Sequence, residues 1–167
     1  MPESRPMRAV GADYATTGPN TTTLVQSVAR PAADLFRCLE DGPAWKEWLG
    51  IDVEWTSEPP FGVGTTRTVT RGRARIDEEF VAWEDGRRMN FYFTDSTLPV
   101  AAFAEDYLIE PDGDDGCTLH WSYAYEWAGP LGGLGARAFG LVFKRQGTSS
   151  LRRLAALLEA DPGRFDA

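Results

Sequence analysis

The stretch that decides the fold is CTLHWSYAYEW, residues 117–127. Every second side chain in it is apolar or aromatic, and the positions between them are small, polar or charged. Alternation with a period of two over this length predicts a β-strand with one face in the core and the other in water. The predicted inner face consists of Cys117, Leu119, Trp121, Tyr123, Tyr125 and Trp127.

The polar tips of these rings distinguish the inner face from that of an ordinary sheet core. Tyrosine hydroxyl and indole N–H groups need hydrogen-bond partners when they are buried. An amphipathic ligand or trapped water in a cavity would supply such partners, and so would the backbone of a helix packed on the strand. From this strand alone, a cavity wall and a filled core are equally good interpretations.

Composition limits the class of protein. A chain of 167 residues is most simply one domain, which buries roughly 70% of its unfolded surface. A net charge of −8 argues against nucleic acid or an anionic membrane as the main partner. Two cysteines are too few for a disulfide framework, residues 1–20 lack the apolar core of a signal peptide, and no apolar run could span a membrane. We therefore expect a soluble, cytoplasmic monomer or homodimer without stable membrane insertion.

Turn signals and changes of hydrophobic period divide the rest of the chain into elements. A first strand over residues 21–28 precedes two short helices, which begin after Pro31 and at Gly42-Pro43. The pattern then predicts strands over residues 51–55, 65–71, 74–83, 88–94, 101–110 and 117–127. Helical spacing predicts a last helix over residues 131–159, whose glycines indicate a bend, a frayed first half or a close approach to the sheet or a ligand.

Three segments, in their order and spacing, resemble a known family. They are PAADLFRCLED (31–41) with the nearby Trp45 and Trp48, FGVGT (61–65) and LRRLAALLE (151–159). The chain thereby resembles the START-like (SRPBCC) superfamily, in its polyketide cyclase/dehydrase branch. The resemblance implies an α+β helix-grip fold, in which a seven-stranded antiparallel curved sheet wraps around a long C-terminal helix and two short helices follow the first strand. It also implies a deep hydrophobic cavity between sheet and helix, which favours the cavity interpretation.

The resemblance covers about residues 21–160, which we expect to form a single START-like domain. Residues 1–20 are polar and rich in turn formers, and they are predicted to be a flexible N-terminal arm. Residues 161–167 form a short C-terminal tail.

Alternation extends the predicted cavity wall to other strands. The inner-face sets are Ile76, Glu78 and Phe80; Met89, Phe91 and Phe93; and Phe103, Glu105, Tyr107 and Ile109. Together with the decisive strand and the last helix they give the predicted ligand-binding residues: Trp48, Phe80, Phe91, Phe93, Tyr107, Leu119, Trp121, Tyr123, Tyr125, Phe139 and Phe143.

Two carboxyl groups in these sets suggest chemistry. Glu78 or Glu105, if it faces an apolar hollow, would have a raised pKa and could act as a general acid or base. Tyr107 could donate a hydrogen bond to a carbonyl or enolate oxygen. These three residues are the candidate catalytic set. In the alternative interpretation, residues 77–79 are a solvated acidic run, or the glutamates pair with Arg67 or Arg75 near the rim.

Other kinds of site are poorly supported. The one histidine, His120, lies on the polar face of its strand, and no cluster has the spacing of metal ligands. The segment GVGT at 62–65 lacks the glycine spacing of a dinucleotide site and leads into a strand. We expect neither a metal nor a nucleotide cofactor.

Two functions from different classes fit these residues. The first is a carrier or sensor that binds a hydrophobic, ring-containing small molecule. The second is a polyketide aromatase/cyclase or dehydratase that folds a poly-β-carbonyl chain. A weaker third candidate is a co-chaperone-like protein-interaction module, which requires a filled core.

The last helix contributes a charge asymmetry. No Asp or Glu occurs between Trp127 and Leu158, but five basic residues do. For an enzyme, the resemblance suggests an acidic acyl carrier protein docked near Lys144 and Arg145. An ordinary solvated helix face explains the same pattern.

Overall fold

The computed structural model describes residues 3–166. Two short elements, β1 (Arg5–Pro6) and α1 (Tyr14–Thr17), precede the first long strand, β2 (Thr22–Val28). Helices α2 (Ala32–Glu40) and α3 (Gly42–Trp48) follow it. The remaining elements are β3 (Asp52–Trp55), β4 (Thr66–Arg71), β5 (Ala74–Glu84), β6 (Arg88–Ser96), β7 (Val100–Asp112), β8 (Gly116–Trp127) and α4 (Gly132–Ala160).

All strand pairs are antiparallel, in the order β2-β8-β7-β6-β5-β4-β3. Strands β3 to β8 are successive hairpins, whereas β2 crosses to the far edge and pairs with β8. Helix α4 packs against β2, β8 and α3. The predicted α+β helix-grip fold is confirmed, including both short helices and the long last helix. No helix among residues 3–166 is long and apolar enough to cross a membrane.

Helix α4 comes closest to the sheet where its inner face carries no side chain. A Cβ atom at Gly147 would lie 2.6 Å from Leu24 Cδ1 and 3.0 Å from Trp121 Cζ3. At Gly140 it would lie near the Tyr125 hydroxyl. These glycines therefore serve one of the predicted roles, because they let the helix backbone approach the rings of β8.

The N-terminal arm is attached to the sheet where β6 and β7 separate. Strand β6 pairs with β7 only over residues 88–92, and β1 takes the place of β7 beside residues 95–96. The backbone N–H groups of residues 7 and 8 donate to the carbonyl oxygens of Thr94 on β6 and Ala101 on β7, both at 2.9 Å. The sequence did not predict this attachment, since a two-residue strand has no detectable period.

The C-terminal tail also packs on the domain. Phe165 is buried, and Arg30 lies 2.5 Å from Asp34 and 2.6 Å from Asp166. The tail is thereby held against the start of α2.

Gly147→Ala is expected to lower the free energy of unfolding by about 1–3 kcal/mol, because the added methyl group overpacks against Leu24 and Trp121. The matched control is Gly133→Ala, also in α4, where a Cβ would meet nothing within 4 Å. The better helix propensity of alanine should make the control up to about 1 kcal/mol more stable. Urea unfolding measures both variants, and equal stabilisation by the two substitutions would contradict the close approach of α4.

Candidate functional site

A cavity of about 240 Å³ lies between the sheet and α4. An engineered protein cavity of about 150 Å³ holds one benzene ring, so this space has room for a body of one to two rings. The residues that line it are Trp45, Leu49, Ile51, Arg67, Val69, Arg71, Ala74, Ile76, Glu78, Phe91, Phe93, Leu98, Glu105, Trp121, Phe139, Val142, Phe143, Gln146 and Gly147.

The predicted ligand-binding residues divide into two groups. Those that line the cavity are Phe91, Phe93, Trp121, Phe139 and Phe143. Those that lie in the packed core outside the wall are Trp48, Phe80, Tyr107, Leu119, Tyr123 and Tyr125. The second group does face inward, but neighbouring rings and the closely packed helices cover it.

Several wall residues were missed by the sequence analysis. Most of them lie on β4, on α4 and in the segments that follow α3 and β6. The side chains of Arg67, Val69 and Arg71 share one face of β4, and alternation would have indicated this set. On α4, Val142, Gln146 and Gly147 join the predicted phenylalanines at helical spacing. A charged residue at each end of a strand face ordinarily indicates exposure to solvent, which is why the β4 set was overlooked.

A buried ion pair forms part of the wall. Arg67 is opposite Glu78 in the β4–β5 register, and its Nε donates to Glu78 Oε2 at 2.5 Å. The two side chains are only 1% and 4% exposed. The pairing considered in the sequence analysis therefore exists, but in the interior rather than at a solvated rim.

The Arg67 guanidinium lies among aromatic rings. Its Cζ is 4.4 Å from the centroid of the Trp45 ring and 4.5 Å from that of Phe91. The faces of aromatic rings attract a cation, and these contacts therefore stabilise the guanidinium after it has been removed from water. Within residues 3–166, the buried Nη1 atom has no hydrogen-bond partner. The site therefore holds a permanent positive charge, and the Nη1 N–H groups of this guanidinium are unused donors.

Glu105 is the second buried carboxyl group of the site, at 7% exposure. Its Oε2 accepts hydrogen bonds from Tyr107 Oη at 2.8 Å and Trp121 Nε1 at 2.9 Å. Tyr107 and Trp121 face each other in the β7–β8 register and their rings stack, 5.3 Å between centroids. Two ring donors thus hold one oxygen of a carboxyl group that lines the cavity.

Burial raises the pKa of Glu105 to about 8; the Glu78 carboxylate raises it as well, and the hydrogen bond from Tyr107 opposes the shift. Glu105 is therefore mainly protonated at neutral pH. Burial also raises the pKa of Glu78, against the effect of the Arg67 guanidinium. The pKa of Tyr107 lies well above its ordinary value for the same reason. The structure thus brings the candidate catalytic set together, although Tyr107 reaches the cavity only through Glu105.

The hydroxyl and indole N–H groups of the other aromatic rings on β8 mainly form hydrogen bonds with the protein backbone. Tyr125 Oη donates to the carbonyl oxygen of Ala136 at 2.7 Å, and Trp127 Nε1 donates to that of Pro130 at 3.1 Å. Tyr123 Oη has no partner within residues 3–166. Both initial interpretations hold in part, because helix backbone satisfies some rings and a cavity lies beside others.

His120 lies outside this site. Its Nε2 is 3.1 Å from Glu110 Oε2 on the outer face of the sheet. Among the described residues, no group of three His, Cys, Asp or Glu side chains is placed to hold a metal ion.

A sheet wrapped around one long helix, with a hollow between them, defines a helix-grip protein. Residues 20–159 match the family model described as polyketide cyclase/dehydrase and lipid transport, and the chain belongs to this family. It is 40% identical over 152 residues to the uncharacterized protein Rv2574 of Mycobacterium tuberculosis, covering 89% of this chain and 87% of that protein.

Solved structures show the same fold at low identity. The protein TTHA0849 from Thermus thermophilus superposes with a TM-score of 0.69 at 20% identity, covering 84% of this chain and 97% of that one. The di-domain ARO/CYC BexL from the BE-7585A biosynthetic pathway gives a TM-score of 0.68 at 16% identity. That match covers 86% of this chain and 47% of BexL, so the likeness extends to about half of the di-domain protein.

The raised pKa of Glu105 predicts a stability that depends on pH. The group ionises near 4.5 when unfolded and at about 8 when folded, so the free energy of unfolding should fall as pH rises through this window. Glu105→Gln keeps an acceptor for Tyr107 and Trp121 but has no charge to ionise. The variant should therefore become more stable relative to the wild type between about pH 5 and pH 8, as measured by urea unfolding. A stability difference that stays constant over this range would show that Glu105 titrates normally.

Proposed function

We propose that the protein is a carrier or sensor that binds a small ring-containing molecule in the cavity between the sheet and α4. The observation that carries this proposal is the cavity wall, in which aromatic rings surround the unused donor of Arg67. A carbonyl, phenol or enolate oxygen of the ligand would accept a hydrogen bond from the Arg67 guanidinium, which lines the cavity. The rings would cover the apolar body of the ligand, as in other pockets with few polar groups.

The size of the cavity supports a small ligand. Ligand pockets commonly measure about 300–1,000 Å³, and this cavity of about 240 Å³ lies just below that range. A folded chain that yields several fused rings would need more room. The volume therefore favours binding of a one- or two-ring molecule over cyclisation of a long poly-β-carbonyl chain.

The family is consistent with a hydrophobic ligand. Its description joins polyketide cyclase/dehydrase activity with lipid transport, and both act on molecules with an apolar body and polar oxygens. The co-chaperone-like alternative receives no such support, because it requires a filled core and the core has a cavity.

The second candidate is a polyketide aromatase/cyclase or dehydratase that acts on a short poly-β-carbonyl chain. Glu105 favours it, because a buried carboxyl group with a pKa of about 8 can both give and take a proton near neutral pH. The Glu105 carboxylate would take the proton from the carbon between two carbonyl groups, and Arg67 would stabilise the enolate oxygen that forms. Glu105 would then give this proton to the hydroxyl group, which leaves as water when the enolate collapses. Tyr107 would act as a positioning residue, since it holds Glu105.

An acyl carrier protein belongs to this second candidate. Lys144 and Arg145 are exposed on α4 between the wall residues Phe143 and Gln146. An acidic carrier protein docked there would present its tethered chain directly to the cavity.

Two probes separate recognition of an oxygen from burial of a ring. We expect 2-naphthol to bind about tenfold more tightly than naphthalene, because a hydrogen bond to a charged group contributes about 1.5–3 kcal/mol. The double variant Arg67→Met/Glu78→Gln removes both members of the ion pair, so that neither is left buried alone. It should lose the preference but still bind naphthalene, as measured by titration calorimetry. The control is His120→Gln on the outer face; failure of both probes to bind the wild type would contradict the proposed function.

The enzyme candidate predicts turnover as well as binding. A short poly-β-carbonyl thioester should cyclise or lose water on the wild type, and Glu105→Gln should reduce this rate by about 10²-fold or more while binding persists. Product analysis by mass spectrometry measures the rate. If turnover survived neutralisation of Glu78, Glu105 and Tyr107 in separate folded variants, the candidate catalytic set would be wrong.

A further inference from the structure

A second arginine lies on the same face of β4 as Arg67. Arg71 is four residues further along the strand, which separates the two Cα atoms by about 13 Å at about 3.3 Å per residue. It lines the outer end of the cavity and is exposed to solvent. Within residues 3–166, Arg71 forms no ion pair. The cavity thus has one guanidinium at its inner end and another at its mouth.

Arg71 is held across the mouth by a neutral side chain of α4. The amide group of Gln146 lies 3.1 Å from Arg71 Nη2 and 3.0 Å from Nη1. Because a guanidinium can only donate hydrogen bonds, the amide oxygen is the atom that faces it. The contact joins β4 to α4 but leaves the positive charge of Arg71 without a counter-charge.

The charged residues near the mouth of the cavity do not neutralise the positive charge of Arg71. Arg73 and Arg75 lie on the same hairpin, and Asp77 on β5 is paired with Arg75 at 2.9 Å. Thr68 also donates to the same oxygen of Asp77. On the α4 side, the exposed residues Lys144 and Arg145 precede Gln146 in the sequence. An anionic group that entered the mouth would therefore meet a positive field.

We propose that Arg71 binds an anionic group at the outer end of the ligand. This inference rests on the proposed function and narrows its ligand to an amphipathic molecule with an oxygen at the inner end and a carboxylate, or a group of similar charge, at the mouth. The carboxylate would replace the Gln146 amide as the acceptor, because a charge-assisted bidentate pair is stronger than a bond to a neutral amide. Val69, between the two arginines on β4, and Phe93 on β6 would cover the apolar body.

The test uses two probes that differ in charge at one end. 6-Hydroxy-2-naphthoate and its methyl ester share the rings and the hydroxyl group, but only the acid carries an anion at pH 7. We expect the wild type to bind the acid about fivefold more tightly than the ester, as for a partly exposed ion pair. Arg71→Gln should remove this advantage, so that acid and ester bind with similar affinities. Titration calorimetry at low salt measures each affinity.

Two further variants make the result specific to Arg71. Arg73→Gln removes a charge from the same hairpin outside the wall and should change acid binding less than twofold. Gln146→Glu places a carboxylate on Arg71 and should reduce the preference for the acid over the ester as much as Arg71→Gln does. The inference is overturned if acid and ester bind equally to the wild type, or if Arg73→Gln has the same effect as Arg71→Gln. Failure of both probes to bind would instead contradict the proposed function on which the inference rests.

Discussion

The guanidinium of Arg67 stays charged although it is buried in the interior of the domain. The rest of the site depends on how the protein stabilises that charge. Taking an ion pair out of water costs several kcal/mol per ion, and removal of one partner typically costs about 3–5 kcal/mol. Here the β4–β5 register places Glu78 directly opposite Arg67, and the rings of Trp45 and Phe91 face the cation. Burial is the main cause of the raised pKa of Glu105, and the nearby Glu78 carboxylate raises it further, so that Glu105 remains mainly protonated near neutral pH. The Arg67 guanidinium opposes this shift.

The cavity exists because α4 packs unevenly on the sheet. Where the helix carries Gly140 and Gly147, its backbone reaches the rings of β8. Phe139, Val142 and Phe143 line the hollow on the helix side, with Phe91 and Phe93 on the opposite strand. The helix thus contacts the sheet closely at its glycines and lies further from it beside them. The cavity is therefore enclosed but not filled.

Strand alternation predicted the inward direction of Glu78 and Glu105 because a period of two survives through β5 and β7 at these positions. It could not predict which inward residues line the cavity. That depends on the distance between helix and sheet, which is why Tyr123 and Tyr125 are packed while Trp121 lines the space. Alternation also could not predict the hydrogen-bond partners of buried donors, because these partners lie on other strands. Trp121 on β8, for example, donates to Glu105 on β7. Arg67 was missed as a wall residue because a strand face with an arginine at each end ordinarily indicates exposure to solvent.

The family match begins at residue 20, yet the backbone groups of residues 7 and 8 bridge β6 and β7 where those strands part. A shortened protein that began at the match would leave a slot in the middle of its sheet, with strand edges free to recruit a segment from another molecule. Self-association and aggregation of such a fragment would then reflect the missing arm rather than any native assembly. In this chain, the folded sheet therefore extends beyond the residues that the family shares.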